Sequence, residues 1–283
     1  MRRVGAHLST AGGYTKAVDR AIDIGANALQ IFSGSPRTWK RKPINNEELQ
    51  ELTQYAFSKD VRPLFVHALY LVNLVSDNTE SVQKSKNVII HELEFTSKIQ
   101  GAGLVVHVGS HQGRGWEAVK EDLFLLLKNI FSEASGDAPF LIENSAGQKG
   151  KLHSDLGEVR ETLDAVDSPR LGWCYDTCHG WAAGYSATEQ DDPDRQDLFA
   201  ALEKYDLWDS LKCIHVNDSR DPFNSHRDRH ENIGEGSIPA EELAAILNHP
   251  KLKDVPIITE VPGFDGKKSP DAENISRLRN IVQ

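Results

Sequence analysis

The chain has 283 residues, 39% of them hydrophobic, and a formal net charge of −10 at pH 7. The sequence contains no apolar run of about 18 residues and no apolar N-terminal segment, which argues against a membrane span and a secretory signal. Three cysteines argue against a disulfide framework and favour a reducing compartment such as the bacterial cytoplasm, and the acidic charge taken alone disfavours non-specific nucleic-acid binding.

Short runs rich in β-branched and aromatic residues alternate with amphipathic helical patterns. An apolar helical face runs from Tyr14 to Ile22 and another from Val119 to Ile130, and Ser269-Pro270 predicts the N-cap and first residue of a last helix. The eight predicted strands are Val4–Leu8, Ala28–Phe32, Pro63–Tyr70, Leu104–Val108, Phe140–Glu143, Leu171–Asp176, Leu211–Asn217 and Ile257–Val261.

Eight strands alternating with helices over this length are typical of a (β/α)8 TIM barrel, in the α/β class. The competing architecture is a doubly wound open sheet, but no glycine-rich dinucleotide turn follows the first strand. No composition shift indicates a linker, so residues 1–283 are predicted to form a single domain. In such a barrel the active site lies at the C-terminal ends of the strands.

Ionisable residues lie at or near the C-terminal ends of seven predicted strands. A buried ionisable group is costly unless it is paired or bound to a metal. Taken singly, a histidine at the end of a strand is better explained as a core residue whose imidazole is hydrogen-bonded to backbone. Seven ionisable groups on one rim of the barrel, however, predict a polynuclear metal site. These residues are His7, His67, His107, Glu143, Asp176, His215 and Glu260.

Two Asp–His pairs add candidates at the same rim. Asp176 and His179 are three positions apart where a strand gives way to a turn, and Asp228 and His230 are two apart in a long polar loop. Zinc accepts imidazole nitrogen and carboxylate oxygen, and sites with open positions and no cysteine ligands are typically catalytic. Either pair alone is more often a surface ion pair or a cap. His7 is expected to orient a metal ligand rather than to bind metal itself.

Four motifs, in order along the chain, resemble those of the endonuclease IV family of apurinic/apyrimidinic (AP) endonucleases. They are Gly5–Gly13, Asp176–His179, His215–Ser219 and Asp228–Gly234. The resemblance implies a trinuclear zinc site on a (β/α)8 barrel. The implied ligands are His67, His107 and Glu143 for the first zinc, Glu143 with Asp176, His215 and Glu260 for the second, and His179, Asp228 and His230 for the third.

The resemblance also implies a reaction. The phosphodiester bond 5′ to an abasic site in duplex DNA would be hydrolysed by a metal-bound hydroxide, with Glu143 and Glu260 as catalytic carboxylates. The products would be a 3′-hydroxyl and a 5′-deoxyribose phosphate, and a 3′-end-cleaning phosphodiesterase or phosphatase activity is expected beside it. The expected cofactor is three Zn²⁺ per chain, with Mn²⁺ as an option at one site, in an enzyme that acts as a monomer.

Substrate contacts are implied less directly. Arg37, Tyr70 and Leu71 match positions that wedge into the DNA stack while the abasic nucleotide is turned out. Arg37 belongs to a basic loop, Ser33–Lys42, whose exposed basic patch is expected to include Lys40, Arg41 and Lys42. In the absence of a metal rim it would be a plain solvated loop. Three residues depart from the usual pattern of the family and put substrate fit in doubt: Leu69, Val108 and His226.

Two other functions remain open on the sequence. A sugar isomerase or epimerase on a related barrel would use one or two metals and about four ligands, which leaves His179, Asp228 and His230 without a role. A zinc-stabilised scaffold or DNA-binding module would more often use closed, thiolate-rich sites, and the three cysteines are not spaced for one.

Overall fold

The computed structural model describes residues 2–266 and 268–282. Eight parallel strands close into a barrel in which each strand pairs with its neighbours in chain order and the last pairs with the first. The predicted (β/α)8 fold is therefore confirmed. The strands are β1 (Val4–His7), β2 (Ala28–Phe32), β3 (Leu64–His67), β4 (Gly103–Val106), β5 (Phe140–Glu143), β6 (Leu171–Asp176), β7 (Leu211–His215) and β8 (Ile257–Thr259).

Helices follow every strand, and both predicted apolar faces lie in helices. Within the described residues the α-helices are α1 (Tyr14–Asp23), α2 (Asn46–Ser58), α3 (Thr79–Lys98), α4 (Lys120–Glu133), α5 (Leu156–Val166), α6 (Thr177–Ala182), α7 (Leu198–Lys204), α8 (Ala240–Leu247) and α9 (Ala272–Ile281). The predicted start of the last helix at Ser269-Pro270 is wrong. Asp271 is the N-cap instead, because its Oδ1 accepts a hydrogen bond from Asn274 N at 3.1 Å.

The barrel interior is built in layers. Seven residues on seven strands form an apolar cluster of their own: Ala28, Phe65, Val105, Leu141, Cys174, Cys213 and Ile258. On β1 the corresponding position is Gly5, where a Cβ would lie 2.5 Å from Ala28 O and 2.7 Å from Ile258 Cδ1, so only glycine fits. Because strand side chains alternate between faces, the residues two positions further on point into the barrel as well, one layer nearer its C-terminal end.

Two short strand pairs shape the loops at this end of the barrel. Asp218–Ser219 pairs antiparallel with His230–Glu231, and Tyr185–Ser186 pairs parallel with Gln196–Asp197. The first pair joins the segment directly after β7 to the later part of the same loop, which carries His230. Of the helices in the described parts of the chain, none has the length and hydropathy needed to cross a bilayer.

Candidate metal centre and nucleic-acid cleft

A polar layer lies directly above the apolar layer of the barrel. Each of its members follows an apolar-layer position, or Gly5 on β1, by two residues, so the period of the strand turns all eight into the barrel at its C-terminal end. The layer contains all seven ionisable residues expected at the strand ends, together with one residue that the sequence analysis missed. The eight residues are His7, Gln30, His67, His107, Glu143, Asp176, His215 and Glu260.

Glu143 lies at the centre of this layer and faces histidines with both oxygens. Its Oε2 is 3.2 Å from His67 Nε2 and 3.1 Å from His107 Nε2, while its Oε1 is 3.0 Å from His215 Nδ1. Burial alone would raise the pKa of Glu143, but the histidines, His107 first, hold it well below its ordinary value. The carboxylate is therefore an anion that can bridge two groups of ligands.

A second group of possible ligand atoms surrounds His215. Its Nδ1 lies 3.4 Å from Glu260 Oε2 and 3.9 Å from Asp176 Oδ2, and these three residues with Glu143 have ligand atoms within 4.8 Å of one another. Asp176 is fixed from two sides, because Asn144 Oδ1 accepts from its N–H at 2.6 Å and Asn217 Nδ2 donates to its Oδ2 at 2.6 Å.

The third group combines the start of α6 with the loop after β7. Asp228 Oδ1 lies 3.0 Å from His179 Nε2 and 3.5 Å from His230 Nε2. Both of these nitrogens are buried and have no partner with hydrogen-bond geometry, as expected of atoms that face a shared cation. Burial lowers the pKa of His179, but Asp176 and Asp228 outweigh it and raise that pKa to about 10, so a metal would displace a proton here.

Asp218 holds the loop that carries Asp228 and His230. This buried carboxylate accepts from Gly234 N at 2.9 Å and Gly236 N at 3.0 Å through Oδ2, and from Ser219 N and Ile238 N through Oδ1. Asp218 belongs to one of the four motifs but is not among the predicted site residues. Its function here is positional, since it supplies acceptors for four backbone donors of one loop.

Gln30 is the missed member of the polar layer. Its Nε2 donates to Glu260 Oε1 at 2.6 Å and its Oε1 lies 3.0 Å from His215 Nε2. Because the carboxylate can only accept, the amide oxygen must face His215, whose Nε2 then carries the proton and leaves the Nδ1 lone pair for a metal. Its position two residues after Ala28, a member of the apolar layer, is the sequence signal that could have identified Gln30 as part of the polar layer. His7 acts on the same carboxylate, since its Nδ1 donates to Glu260 Oε1 at 2.8 Å.

Two further histidines have their tautomer set in the same way. His67 donates from Nδ1 to Ala68 O at 2.7 Å, and His179 donates from Nδ1 to Asn144 O at 3.0 Å. Each therefore turns an unprotonated Nε2 toward a carboxylate when the imidazole is neutral. Fixing the remote nitrogen of a histidine is how proteins orient a metal ligand.

A cleft of about 1360 Å³ opens above the polar layer. Its lining includes His67, His107, His179, Asp228, His230 and Glu260, and most of residues 33–45. Basic side chains line it although the chain as a whole is acidic: Arg37, Lys40, Lys42, Lys151 and Lys268. The charge of the cleft suits a phosphate backbone.

The three residues expected to contact DNA lie at or beside this cleft. Arg37 and Tyr70 line it, and the side chains of Tyr70 and Leu71 are 66% and 41% exposed. Tyr70 N donates to Pro36 O at 3.3 Å, so the two segments are joined. The ring of Tyr70 packs edge-on against Phe32, with 5.2 Å between centroids.

Arg41 is not part of the exposed basic surface that the sequence analysis placed there. Its side chain is 7% exposed, and its Nε lies 3.2 Å from Oε1 of Glu92 on α3. Ser33 Oγ donates to the same oxygen at 2.8 Å. Because a buried guanidinium needs a counter-charge, Arg41 packs the basic loop against α3, while Arg37, Lys40 and Lys42 line the cleft.

The three departures from the family pattern lie away from the cleft surface. Leu69 and Val108 are buried in the apolar core, and among the described residues neither lines the cleft. His226 Nδ1 donates to Ala146 O at 3.2 Å and so contributes to loop packing.

Cys174 and Cys213 bring two thiols close to His215, with possible ligand atoms within 4.8 Å of one another. Both belong to the apolar layer below the polar one, where they pack as small hydrophobic residues. Both nitrogens of His215 already face other partners, three carboxylates at Nδ1 and Gln30 at Nε2. The two thiols therefore belong to the apolar packing below the candidate centre.

Comparison with known proteins agrees with this geometry. Residues 18–281 match a family model described as "Xylose isomerase-like TIM barrel". The "Probable endonuclease 4" of Halothermothrix orenii is 39% identical over 98% of this chain and 99% of its own length. The crystal structure of endonuclease IV from Thermus thermophilus superposes with a TM-score of 0.82, at 31% identity over 99% of this chain and 98% of that one.

The fold alone is shared more widely. The structure of 3-keto-D-glucoside 4-epimerase from E. coli covers 99% of both chains with a TM-score of 0.67, at only 14% identity. Architecture therefore does not separate a nuclease from a sugar epimerase, whereas full-length sequence identity does. On that evidence the chain belongs to the endonuclease IV family, as its four motifs indicated.

Proposed function

We propose that this protein is a zinc-dependent AP endonuclease that hydrolyses the phosphodiester bond 5′ to abasic sites in duplex DNA, leaving a 3′-hydroxyl and a 5′-deoxyribose phosphate. The observation that carries the proposal is the convergence of nine imidazole and carboxylate groups at the C-terminal end of the barrel, six of which line a basic cleft. A 3′-end-cleaning phosphodiesterase or phosphatase activity would use the same groups. All nine come from one chain, which supports a monomeric enzyme.

The donor set fits zinc. It contains nitrogen and oxygen donors only, as in catalytic sites, and buried nitrogens of His179 and His230 lack hydrogen-bond partners. We assign the first ion to His67, His107 and Glu143, the second to Glu143, Asp176, His215 and Glu260, and the third to His179, Asp228 and His230. Asp176 also lies within reach of the third group, and Mn²⁺ remains an option at one position.

The ions would lower the pKa of a bound water towards ~7 and neutralise negative charge on the phosphate. The residues of this chain supply the placement. Glu143 presents one oxygen to each of two groups and so fixes their separation. Glu260 lines the cleft with Oε1 held by His7 and Gln30, which leaves Oε2 directed at His215.

Substrate selection would depend on the exposed side chains at the cleft mouth. We assign the exposed side chains of Tyr70 and Leu71 to the base stack, and Arg37, which lines the cleft, to the strand beside it. An abasic nucleotide has already lost its stacking and pairing, so turning it out of the duplex costs less than for an intact nucleotide. That difference would give the enzyme its preference.

The test is incision of a duplex that carries a tetrahydrofuran abasic analogue, which cannot undergo β-elimination. We expect hydrolysis on the 5′ side, about three zinc ions per chain by elemental analysis, and loss of incision in Glu143→Ala and Glu260→Ala. Full activity in either variant would refute the site assignment. Binding of the duplex without incision by zinc-loaded protein would favour a DNA-binding module, and one Mn²⁺ with ketose–aldose turnover would favour a sugar isomerase.

A further inference from the structure

Lys151 places an ammonium group at the wall of the cleft, next to the third group of candidate ligands. Its Nζ lies 3.2 Å from Asp228 Oδ2, and the side chain is 30% exposed and lines the cleft. The other oxygen of Asp228, Oδ1, is the one that faces His179 and His230. Asp228 therefore divides its two oxygens between the candidate metal position and a lysine.

The backbone around Lys151 is built to hold this position. Lys151 pairs with Ser110 in an isolated antiparallel bridge, and Leu152 N donates to Gly109 O at 3.1 Å. Gly150 has a φ of 71°, and a Cβ there would lie 2.5 Å from the ring of His111. The segment is thus fixed to the rim of the barrel, and the direction of the Lys151 side chain follows from it.

Charge balance indicates what the ammonium is for. While Asp228 is free, it neutralises Lys151; once Asp228 Oδ1 binds a cation, its charge is shared and the half-buried ammonium lacks a full counter-ion. A lysine has three donors, of which Asp228 occupies one. An anion in the cleft would satisfy the others, and the anion of the proposed substrate is a phosphate.

We propose that Lys151 is a phosphate-binding residue of this centre, contacting a non-bridging oxygen of the DNA backbone at the abasic nucleotide. The proposal rests on the proposed function for the identity of its ligand. This contact differs from the expected basic contacts of Arg37, Lys40 and Lys42, which come from the loop Ser33–Lys42. Lys151 instead lies beside the candidate metal ligand Asp228. A purely structural role, holding Asp228 in place, is the competing explanation.

The two roles separate in zinc-loaded protein titrated with inorganic phosphate by calorimetry, with zinc counted by elemental analysis. For Lys151→Gln we expect unchanged zinc content and about tenfold weaker phosphate binding, since a charged hydrogen bond is lost. Lys151→Arg should retain most of the affinity. Lys149→Gln is the matched control, because Lys149 carries the same charge two residues away, is exposed and does not line the cleft.

The same variants should differ in DNA binding. The slope of duplex affinity against salt concentration should decrease by the equivalent of about one phosphate contact in Lys151→Gln. It should be unchanged in Lys149→Gln. Loss of one zinc ion from Lys151→Gln would overturn the proposal in favour of the structural role. Phosphate affinity equal to that of the native protein would also overturn it. Because phosphate binding is measured without incision, failure of the nuclease assay would leave this test intact.

Discussion

The candidate centre has two parts that are held in place by different means. The strand part comprises His67, His107, Glu143, Asp176, His215 and Glu260. Each of these residues ends a paired strand or directly follows one, and Asp176 also contacts the loop part. The loop part comprises His179, Asp228 and His230, and it depends on side-chain hydrogen bonds that span long stretches of sequence, such as those of Asp218. We expect the strand part to hold its geometry without metal and the loop part to lose its ion first.

Asp176 belongs to both parts, so its removal should have the largest effect. Its Oδ2 faces His215, while its Oδ1 accepts from His179 N at 2.9 Å and caps α6. Asp176→Ala should lower incision by about 10⁴-fold, the scale seen when one member of a catalytic unit is lost. Elemental analysis should show fewer than three zinc ions per chain. Asp209→Ala, at an exposed position, is the control, and full zinc content with normal incision would contradict the assignment.

Asp218→Asn should damage the loop part selectively. The amide retains one acceptor oxygen where the carboxylate used two, so the donors of Gly234, Gly236 and Ile238 lose a charged acceptor at a cost of about 1.5–3 kcal/mol. We expect loss of one zinc ion, incision reduced by about 10²-fold, and faster amide exchange over residues 219–238. Retention of three ions with unchanged exchange would show that the loop does not depend on Asp218.

Gln30→Leu tests the strand part through a residue that would not itself touch metal. The substitution leaves Glu260 Oε1 with one donor fewer and frees the His215 tautomer. Loss of such an orienting group lowers metal affinity by about 10–100-fold. Competition with a chelator should show weaker binding of one ion, with the other two unaffected. Gln83→Leu, on the surface of α3, should bind zinc as the native protein does, and equal affinities in the two variants would remove Gln30 from this role.

The same contrast decides how much of the molecule could be predicted from sequence. The barrel and all six strand residues follow from period-2 spacing, because an apolar residue and a polar residue two positions later must share a face. Gln30 obeys that rule but was missed, since an uncharged amide does not stand out in an apolar run. The support given by Asp218 depends on hydrogen bonds to residues 16 to 20 positions away, which spacing does not encode.

The basic loop is a second case in which a contact between residues far apart in sequence could not be predicted. Composition placed Arg41 with its charged neighbours at the surface, whereas Glu92, 51 positions later, buries it. A pairing between a loop and a distant helix leaves no local pattern.

Glu92→Gln should have the smallest effect on incision and a clear effect on pH dependence. Burial raises the pKa of Glu92 to about 7, although Arg41, Ser33, His67 and the Leu69 N–H all lower it. The unfolded chain releases this proton near pH ~4.5 and the folded chain near 7, so the carboxyl group makes folding less favourable as pH rises through that window.

Removing the carboxyl group should remove that slope. The unfolding free energy of the native protein, relative to Glu92→Gln, should fall by about 1–3 kcal/mol between pH ~4.5 and 7 and stay level above it. KM for the abasic duplex should rise a few-fold with kcat unchanged, since the loop that carries Arg37 loses its anchor while the ligands do not move. Denaturant unfolding at several pH values measures the first effect. Parallel stability curves for the two proteins would show that Glu92 is already ionised in the folded state, and its ion pair with Arg41 would then hold the loop at every pH above the ordinary carboxyl range.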